Sequence, residues 1–342
     1  MAGRAARHPR QYAWAAAARA VVIACAGALA GGCGTIQSSF NAWGPDAQRI
    51  ADLGRMMFVG GALVALIVTA LGLTAVFAPP RRRRWLAERR AIVVGGVLFP
   101  AVVLTALLVY TLVVAARLAA DEPPAVVIEV VGEQWWWRVH YLDARGEVDF
   151  VTANEIRLPV GTPIELRLRG ADVIHSFWVP NLAGKLDMIP GHDNRLRLRA
   201  ERVGRLRGQC AEYCGGAHAL MAFAVMVEPR GDFERWRQAQ RAPAPEPANA
   251  QLARGRELFL ATGCATCHVV RGTPAAGERG PDLTHVGGRL TLGAGILPNN
   301  VGTLAGWIGS NQDLKPGNLM PEFRVLSGED LQALAAWLES LK

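Results

Sequence analysis

The chain has 342 residues, 51% of them hydrophobic and 19% charged, and a formal net charge of +8 at pH 7. So apolar a chain can bury enough surface to offset its ordering entropy, which excludes a disordered protein, and six cysteines are too few for a disulfide scaffold. The charge is local: residues 1–32 carry +4 and Arg81–Arg90 carries +5, both beside apolar stretches, which is the pattern of membrane-orientation signals rather than of nucleic-acid binding.

In chain order, residues 1–32 read as an export signal: an arginine-bearing start, the apolar stretch Ala20–Gly32, then small residues. Ala30-Gly31-Gly32 before Cys33 looks like a lipoprotein cleavage box, although Ala30 stands where leucine is usual. Cys33 is therefore the candidate for lipidation and Cys25 a poorer one. An uncleaved lead-in, or cleavage near Ala30, is the alternative. Residues 33–120 hold two uncharged stretches, Met56–Ala78 (23 residues) and Ala91–Ala116 (26 residues). At about 1.5 Å of rise per residue each can cross a hydrocarbon core of about 30 Å, so spanning is favoured over a pair of buried core helices. Pro100 would kink a soluble helix and is tolerated in a membrane where neighbours satisfy the freed backbone. The arginine-rich loop between the stretches reads as cytoplasmic, which puts both outer ends on the periplasmic or exterior face of a bacterium.

Over residues 121–230 the texture changes to alternation. Val126–Val131, Pro163–Arg169, Arg195–Arg199 and Phe223–Val227 read as strands between Gly, Pro, Asn and Asp turns, predicting an all-β sandwich or Greek-key barrel. Within it, Cys210, Glu212, Cys214, His218 and Met221 fall inside twelve residues. Soft sulfur with imidazole suits copper, and a single blue-copper site needs only one thiolate. Two cysteines four apart can instead bridge two metal ions. A zinc site would prefer a second cysteine pair and has no use for Met221, and a disulfide would leave His218 and Met221 unexplained. His175, on the turn after a clear strand, offers a second imidazole.

Residues 231–248 form a linker rich in proline and alanine, stiff and extended. Beyond it, over 249–342, Cys264-Ala-Thr-Cys267-His268 is the attachment pattern of c-type haem, and no βαβ pattern surrounds it to support a thioredoxin-like reading. Met320 lies between Pro316 and Pro321, an unusual place for a core methionine. Ser327–Asp330, followed by Leu331, Leu334, Trp337 and Leu338, predicts a capped amphipathic helix that closes a small all-α domain.

The two-span hairpin, Gln134–Trp137, His175–Pro180 and the Cys210–Met221 motif resemble subunit II of the haem–copper cytochrome c oxidases over about residues 40–230. The order of helix, C-x-x-C-H, Met-Pro loop and terminal helix resembles a class I cytochrome c over about 249–342, with Gly280-Pro281-Asp-Leu283 similar to the loop beside the proximal histidine. This resemblance implies a cupredoxin-like barrel with a binuclear copper A centre, held by the side chains of His175, Cys210, Cys214, His218 and Met221 and the backbone carbonyl of Glu212. It implies that the Glu212 carboxylate also reaches a magnesium ion at the border with subunit I, along which Lys185 and Asp187 lie, and that Trp135 is the surface residue through which electrons arrive. By the same resemblance Cys264 and Cys267 form the haem thioethers, and His268 and Met320 are the axial ligands, with His285 a competitor for Met320.

The implied protein is subunit II of a respiratory oxidase in the bacterial inner membrane, two-pass, with both metal domains on the periplasmic face in contact with lipid. It would accept electrons from cytochrome c or another donor through haem c and copper A. It would pass them to subunit I and other oxidase subunits for reduction of oxygen to water with proton pumping. His8, His140, His192 and His285 do not form an oxygen-reducing site of their own. The alternatives are the electron-accepting subunit of a copper-A nitric oxide reductase, or a non-enzymatic membrane-tethered electron carrier. Glu212 and the hairpin argue against nitrous oxide reductase, whose motif carries tryptophan at that position. The C-terminal module balances eight basic against eight acidic residues, as fits a tethered donor that needs little charge steering.

Overall fold

The computed structural model describes residues 36–118 and 122–342. The expected export signal and the lipidation candidates Cys25 and Cys33 lie outside the described residues. Two helices, α1 (Pro45–Phe77) and α2 (Arg89–Leu118), are long and apolar enough to cross a membrane, and their apolar windows are unburied within the chain. Pro45 occupies the first turn of α1, where its missing amide leaves no hydrogen bond unmade. The arginines between the helices lie on a helical turn (Pro80–Arg83) and a 3-10 turn (Arg84–Ala87). Pro100 does not break α2. Val94–Leu98 instead forms a π turn just ahead of it, and that widened turn makes room for a ring lacking an amide.

The expected β-domain is a sandwich of two five-stranded sheets. One runs β3 (Val148–Ala153), β2 (Trp136–Leu142), β1 (Val126–Glu133), β5 (Pro163–Gly170), β8 (Asn194–Arg199). The other runs β4 (Glu155–Pro159), β10 (Ala222–Glu228), β9 (Gly204–Cys210), β6 (His175–Trp178), β7 (Leu186–Met188). β1 pairs with β5, and β4 with β10, in parallel, while the other pairs within the two sheets are antiparallel. Alternation does the sorting: Val126, Ile128 and Val130 of β1 are buried, and the residues between them are half-exposed. Trp137 is wholly buried, its ring 5.0 Å from that of Phe223 and 6.0 Å from that of Phe177. Phe223 in turn packs against Gly208, where an added Cβ would stand 2.1 Å from the ring.

The β-domain is fixed at both ends. The Trp43 amide donates to the Asn181 carbonyl (2.7 Å), and the Glu201 amide donates to that of Trp43 (2.7 Å), so the start of α1 is held against it. Helix α3 (Arg230–Gln240) packs Phe233 and Trp236 on Tyr141, with ring centroids at 6.3 and 5.2 Å.

The C-terminal domain has its own core around Phe259, Leu334, Trp337 and Leu338, built from α4 (Ala250–Ala261), α5 (Val301–Leu314) and α6 (Gly328–Ser340). Its caps follow the sequence: Asn249, Asn300 and Ser327 side chains each accept a backbone amide three residues on. Gly255 lets α4 and α6 meet, since a Cβ there would stand 2.2 Å from the Ala333 carbonyl oxygen. The linker is no free spacer. The Ala244 amide donates to Arg271 O (2.8 Å), and His285 Nε2 lies 3.0 Å from Ala242 O, so the chain between the domains is laid along the helical one.

Candidate metal centres

The end of β9 and the loop after it bring the sulfur-rich motif to one edge of the second sheet, beside the first residue of β6. Cys210 Sγ lies 3.7 Å from Cys214 Sγ, 3.9 Å from His175 Nδ1 and 3.2 Å from the Glu212 carbonyl oxygen. Cys214 Sγ lies 3.5 Å from His218 Nδ1 and 3.8 Å from Met221 Sδ. Both cysteines are free thiols and buried. The four other expected copper ligands thus surround the two sulfurs, and three of the six (His175, Cys210, Cys214) offer donor atoms within 4.8 Å of one another. A sulfur pair at 3.7 Å suits metal–thiolate bonds of about 2.3 Å on either side. The chemistry of the donor set, soft sulfur and neutral nitrogen, fits copper.

Residues that sequence reading passed over hold these ligands. His175 Nε2–H donates to Asp172 Oδ1 (2.8 Å), which frees Nδ1 to face the sulfur pair. Burial works against charge on His175, but its hydrogen bonds to Cys210 and Asp172 outweigh burial and raise its pKa. The Cys214 S–H and the His175 imidazole stabilise a Cys210 thiolate against burial, so Cys210 sits well below the usual thiol range. Cys214 is pushed the other way by that thiolate beside it. The apoprotein pair thus gives up one proton easily and holds the other until a cation replaces it. Gln134 Nε2 (2.7 Å) and Trp135 Nε1 (2.9 Å) both donate to the Cys214 carbonyl, while the Gln134 amide donates to Asp172 Oδ2 (2.7 Å). No sequence signal marks Asp172, because a lone acid in a turn looks like any other.

The tryptophan triplet divides its labour. Trp137 is core, and Trp136 lies under the Arg138 guanidinium at 4.7 Å. Trp135, in the β1–β2 turn, bonds to the copper-site loop. Lys185 Nζ lies 3.0 Å from Asp187 Oδ1 and 3.4 Å from Glu212 Oε2, all three side chains being more than 40% exposed. The expected magnesium ligand is thus paired with an ammonium at the surface.

In the helical domain, a 3-10 turn (Cys264–Thr266) follows α4 and leads into His268. His268 Nδ1–H donates to the Pro281 carbonyl (2.8 Å), leaving Nε2 for a metal. Gly280 permits this: a Cβ there would stand 2.5 Å from His268 Cε1. Burial, and then the nearby Arg289 charge, lower the His268 pKa and keep the imidazole neutral. Arg289 Nε is itself buried with no partner, an orphan that a carboxylate edge of a prosthetic group would satisfy. Met320 packs on the same core as Cys264 and Leu283. Both ring nitrogens of His285 face carbonyls, Nδ1 that of Lys342 (3.1 Å) and Nε2 that of Ala242 (3.0 Å), so His285 is committed to the linker. These residues fit a covalent haem: His268 would offer Nε2 to the iron, and Met320, packed on the same core, would be the remaining candidate ligand.

Comparison with known proteins agrees with this architecture. Residues 146–228 match the family model described as cytochrome c oxidase subunit II, periplasmic domain, and residues 252–342 match cytochrome c. The chain is similar to cytochrome c oxidase subunit 2 of Alkalihalophilus pseudofirmus, 41% identical over 193 residues, 56% of either chain. It is similar to that of Bacillus subtilis, 31% identical over 202 residues with the same coverage. It thus spans just over half the length of these curated relatives. A solved structure, the periplasmic domain of subunit II of cytochrome oxidase of Bradyrhizobium japonicum, is 31% identical, with coverage of 36% of this chain and 97% of that one and a TM-score of 0.34.

Proposed function

Because the chain belongs to the cytochrome c oxidase subunit II family, with a cytochrome c domain joined behind it, we propose that it is the electron-accepting subunit of a membrane haem–copper oxidase. It takes electrons from cytochrome c or another donor and hands them to subunit I, which reduces oxygen to water in a complex that pumps protons. The observation that carries this reading is the convergence of Cys210, Cys214, His175, His218, Met221 and the Glu212 carbonyl on one point of the sandwich edge. When bound, a copper pair there and a haem c at Cys264, Cys267 and His268 supply reversible one-electron carriage. The chain's own residues supply the rest. Asp172 orients His175, the Pro281 carbonyl orients His268, and the buried thiols keep water from the metal position. Met320 would complete the haem ligation, and Trp135 lies between the copper-site loop and the helical domain, where electrons would arrive. Glu212, with Lys185 and Asp187, lies at the surface as the border with subunit I, with a magnesium ion at Glu212 in the assembled complex. Both domains then face the periplasm, anchored by α1 and α2 in lipid.

Purification of the intact complex tests this. A mixed-valence two-copper electron-spin spectrum, a haem c absorbance band and oxygen consumption are expected together, and Cys214→Ser removes the copper signal. A single-copper or zinc-only site would sink the copper assignment. Reduction of nitric oxide in place of oxygen would move the chain to that reductase, and purification without a haem–copper partner would make it a free-standing carrier.

A further inference from the structure

One charged group is buried between the two domains with no carboxylate among its hydrogen-bond partners. Lys315 begins the loop that carries Met320, and it is 2% exposed. Its Nζ donates to three backbone carbonyls: Trp135 O (2.7 Å), Leu220 O (2.9 Å) and Gly293 O (2.8 Å). An ammonium has three N–H groups, and all three are used. The acceptors belong to three different pieces: the β1–β2 turn, the turn bearing His218 and Met221, and the hairpin loop between β11 (Thr291–Leu292) and β12 (Leu297–Pro298). Burial draws the Lys315 pKa down to about 7, against the opposing charge of Cys214 nearby.

We propose that Lys315 is a positioning residue, a staple that fixes the Met320 loop and the helical domain against the copper-site edge of the β-domain. This deepens the electron-carrier reading and rests on it for its functional consequence. The geometry around the staple is continuous. Asn318 Nδ2 donates to Lys315 O (2.8 Å), and the Met320 amide donates to Asn318 Oδ1 (3.0 Å), so the loop is braced from Lys315 to Met320. The loop backbone at Gly317 reaches the Trp135 indole, where a Cβ would stand 3.5 Å from Cη2. That indole bonds to the Cys214 carbonyl. Backbone amides carry further contacts around it: the Ala222 amide donates to Ala294 O (2.9 Å), and the Leu290 amide to the Glu155 carboxylate Oε2 (2.8 Å). A hydrophobic side chain at 315 would leave three carbonyls without a donor in a water-poor seam, which is the costly way to lose a hydrogen bond. Arg138, which reaches the Glu278 carbonyl (2.8 Å) from a half-buried position, is a weaker contact of the same seam.

The chain has three lysines, Lys185, Lys315 and Lys342, which makes acylation of the intact complex a direct readout. An amine-reactive ester labels the exposed Lys342 and leaves Lys315 unlabelled. Lys315→Met retains haem and copper spectra and the haem reduction potential. Its Ala222 and Leu290 amides exchange with solvent about tenfold faster, in keeping with the loss of one buried charge-assisted contact. After photoreduction, the single electron that leaves the haem iron and reduces the copper pair moves at least about tenfold more slowly in that variant. Arg138→Ala changes these rates less. Labelling of Lys315 as fast as Lys342, or a loaded Lys315→Met complex with unchanged exchange and electron equilibration, overturns the staple. If the wild-type complex lacks a two-copper signal, the carrier reading fails, and labelling and exchange still judge the staple. If Lys315→Met does not assemble, protection of Lys315 from acylation decides.

Discussion

At the scale of single residues, the copper-site edge is built from ligands whose spacing is plain and from supports whose identity is not. Cys210, Cys214, His218 and Met221 are local in sequence, and one loop conformation brings them together. Asp172 reaches His175 only because a turn folds back on its own strand, and it also takes the Gln134 amide from a different strand end. Removing such a support weakens a metal site by about 10–100-fold. Asp172→Ala is therefore expected to lower copper retention by about that factor in a chelator competition, with the β-domain still folded. Unchanged retention would mean that His175 is oriented by packing alone. Glycines beside the ligands are equally specific. A Cβ at Gly132 would stand 2.8 Å from the His175 ring, so Gly132→Ala should displace that ring and shift the copper spectrum, while costing about 1–3 kcal/mol of stability from overpacking. Thermal unfolding and the spectrum of the same sample check both effects.

At the scale of elements, α3 shows how a short helix is held on a sandwich. Asp149 of β3 receives Arg237 Nε (3.0 Å) and Arg241 Nε (2.6 Å). The Arg241 hydrogen bond, more than the burial that opposes it, holds the Asp149 carboxyl below its ordinary value of 3.8, with Arg237 adding to it. A folded-state pKa below the unfolded one contributes stability that is complete above the ordinary carboxylate range and is lost as pH falls through the lower folded value. Arg241 is about half-exposed, so solvent screening keeps this to about 1 kcal/mol. Asp149→Asn should release the C-terminal turn of α3, seen as faster amide exchange near Gln240, and should flatten the acid limb of the stability profile below about pH 4. An unaltered acid limb would assign the anchoring to Phe233 and Trp236 instead. In α2 the sequence reads Pro100 as tolerable within a membrane span, and the chain accommodates it with a π turn. Proline signals that the regular ladder must change, and the local packing chooses how.

At the scale of the whole molecule, the linker and the seam between domains decide the arrangement. Composition reads residues 231–248 as a stiff spacer, yet α3 occupies the first part, and the rest is tied down by Arg271 and by His285. His285→Ala is expected to loosen this segment and raise the rate of tryptic cleavage after Arg241 by about tenfold, the loss of about one buried hydrogen bond. Haem absorbance should be unchanged, because both His285 ring nitrogens are held by carbonyls. A change in the haem band with no change in cleavage would restore it as an iron ligand.

What the sequence determined by itself is everything that depends on neighbours along the chain. The two apolar stretches, the alternation of β1 and β5, the cap at Ser327, the thiol–imidazole–thioether loop and the C-x-x-C-H turn are all local patterns with a physical meaning. Tertiary structure alone decided which acid orients His175, and that His285 serves the linker. It also decided that Lys315, one lysine among proline and glycine, lies buried between two domains. These outcomes rest on contacts between residues up to 180 positions apart, as between Lys315 and Trp135. A hydrogen bond of that kind leaves no periodicity in the chain, because its partner is chosen by the fold.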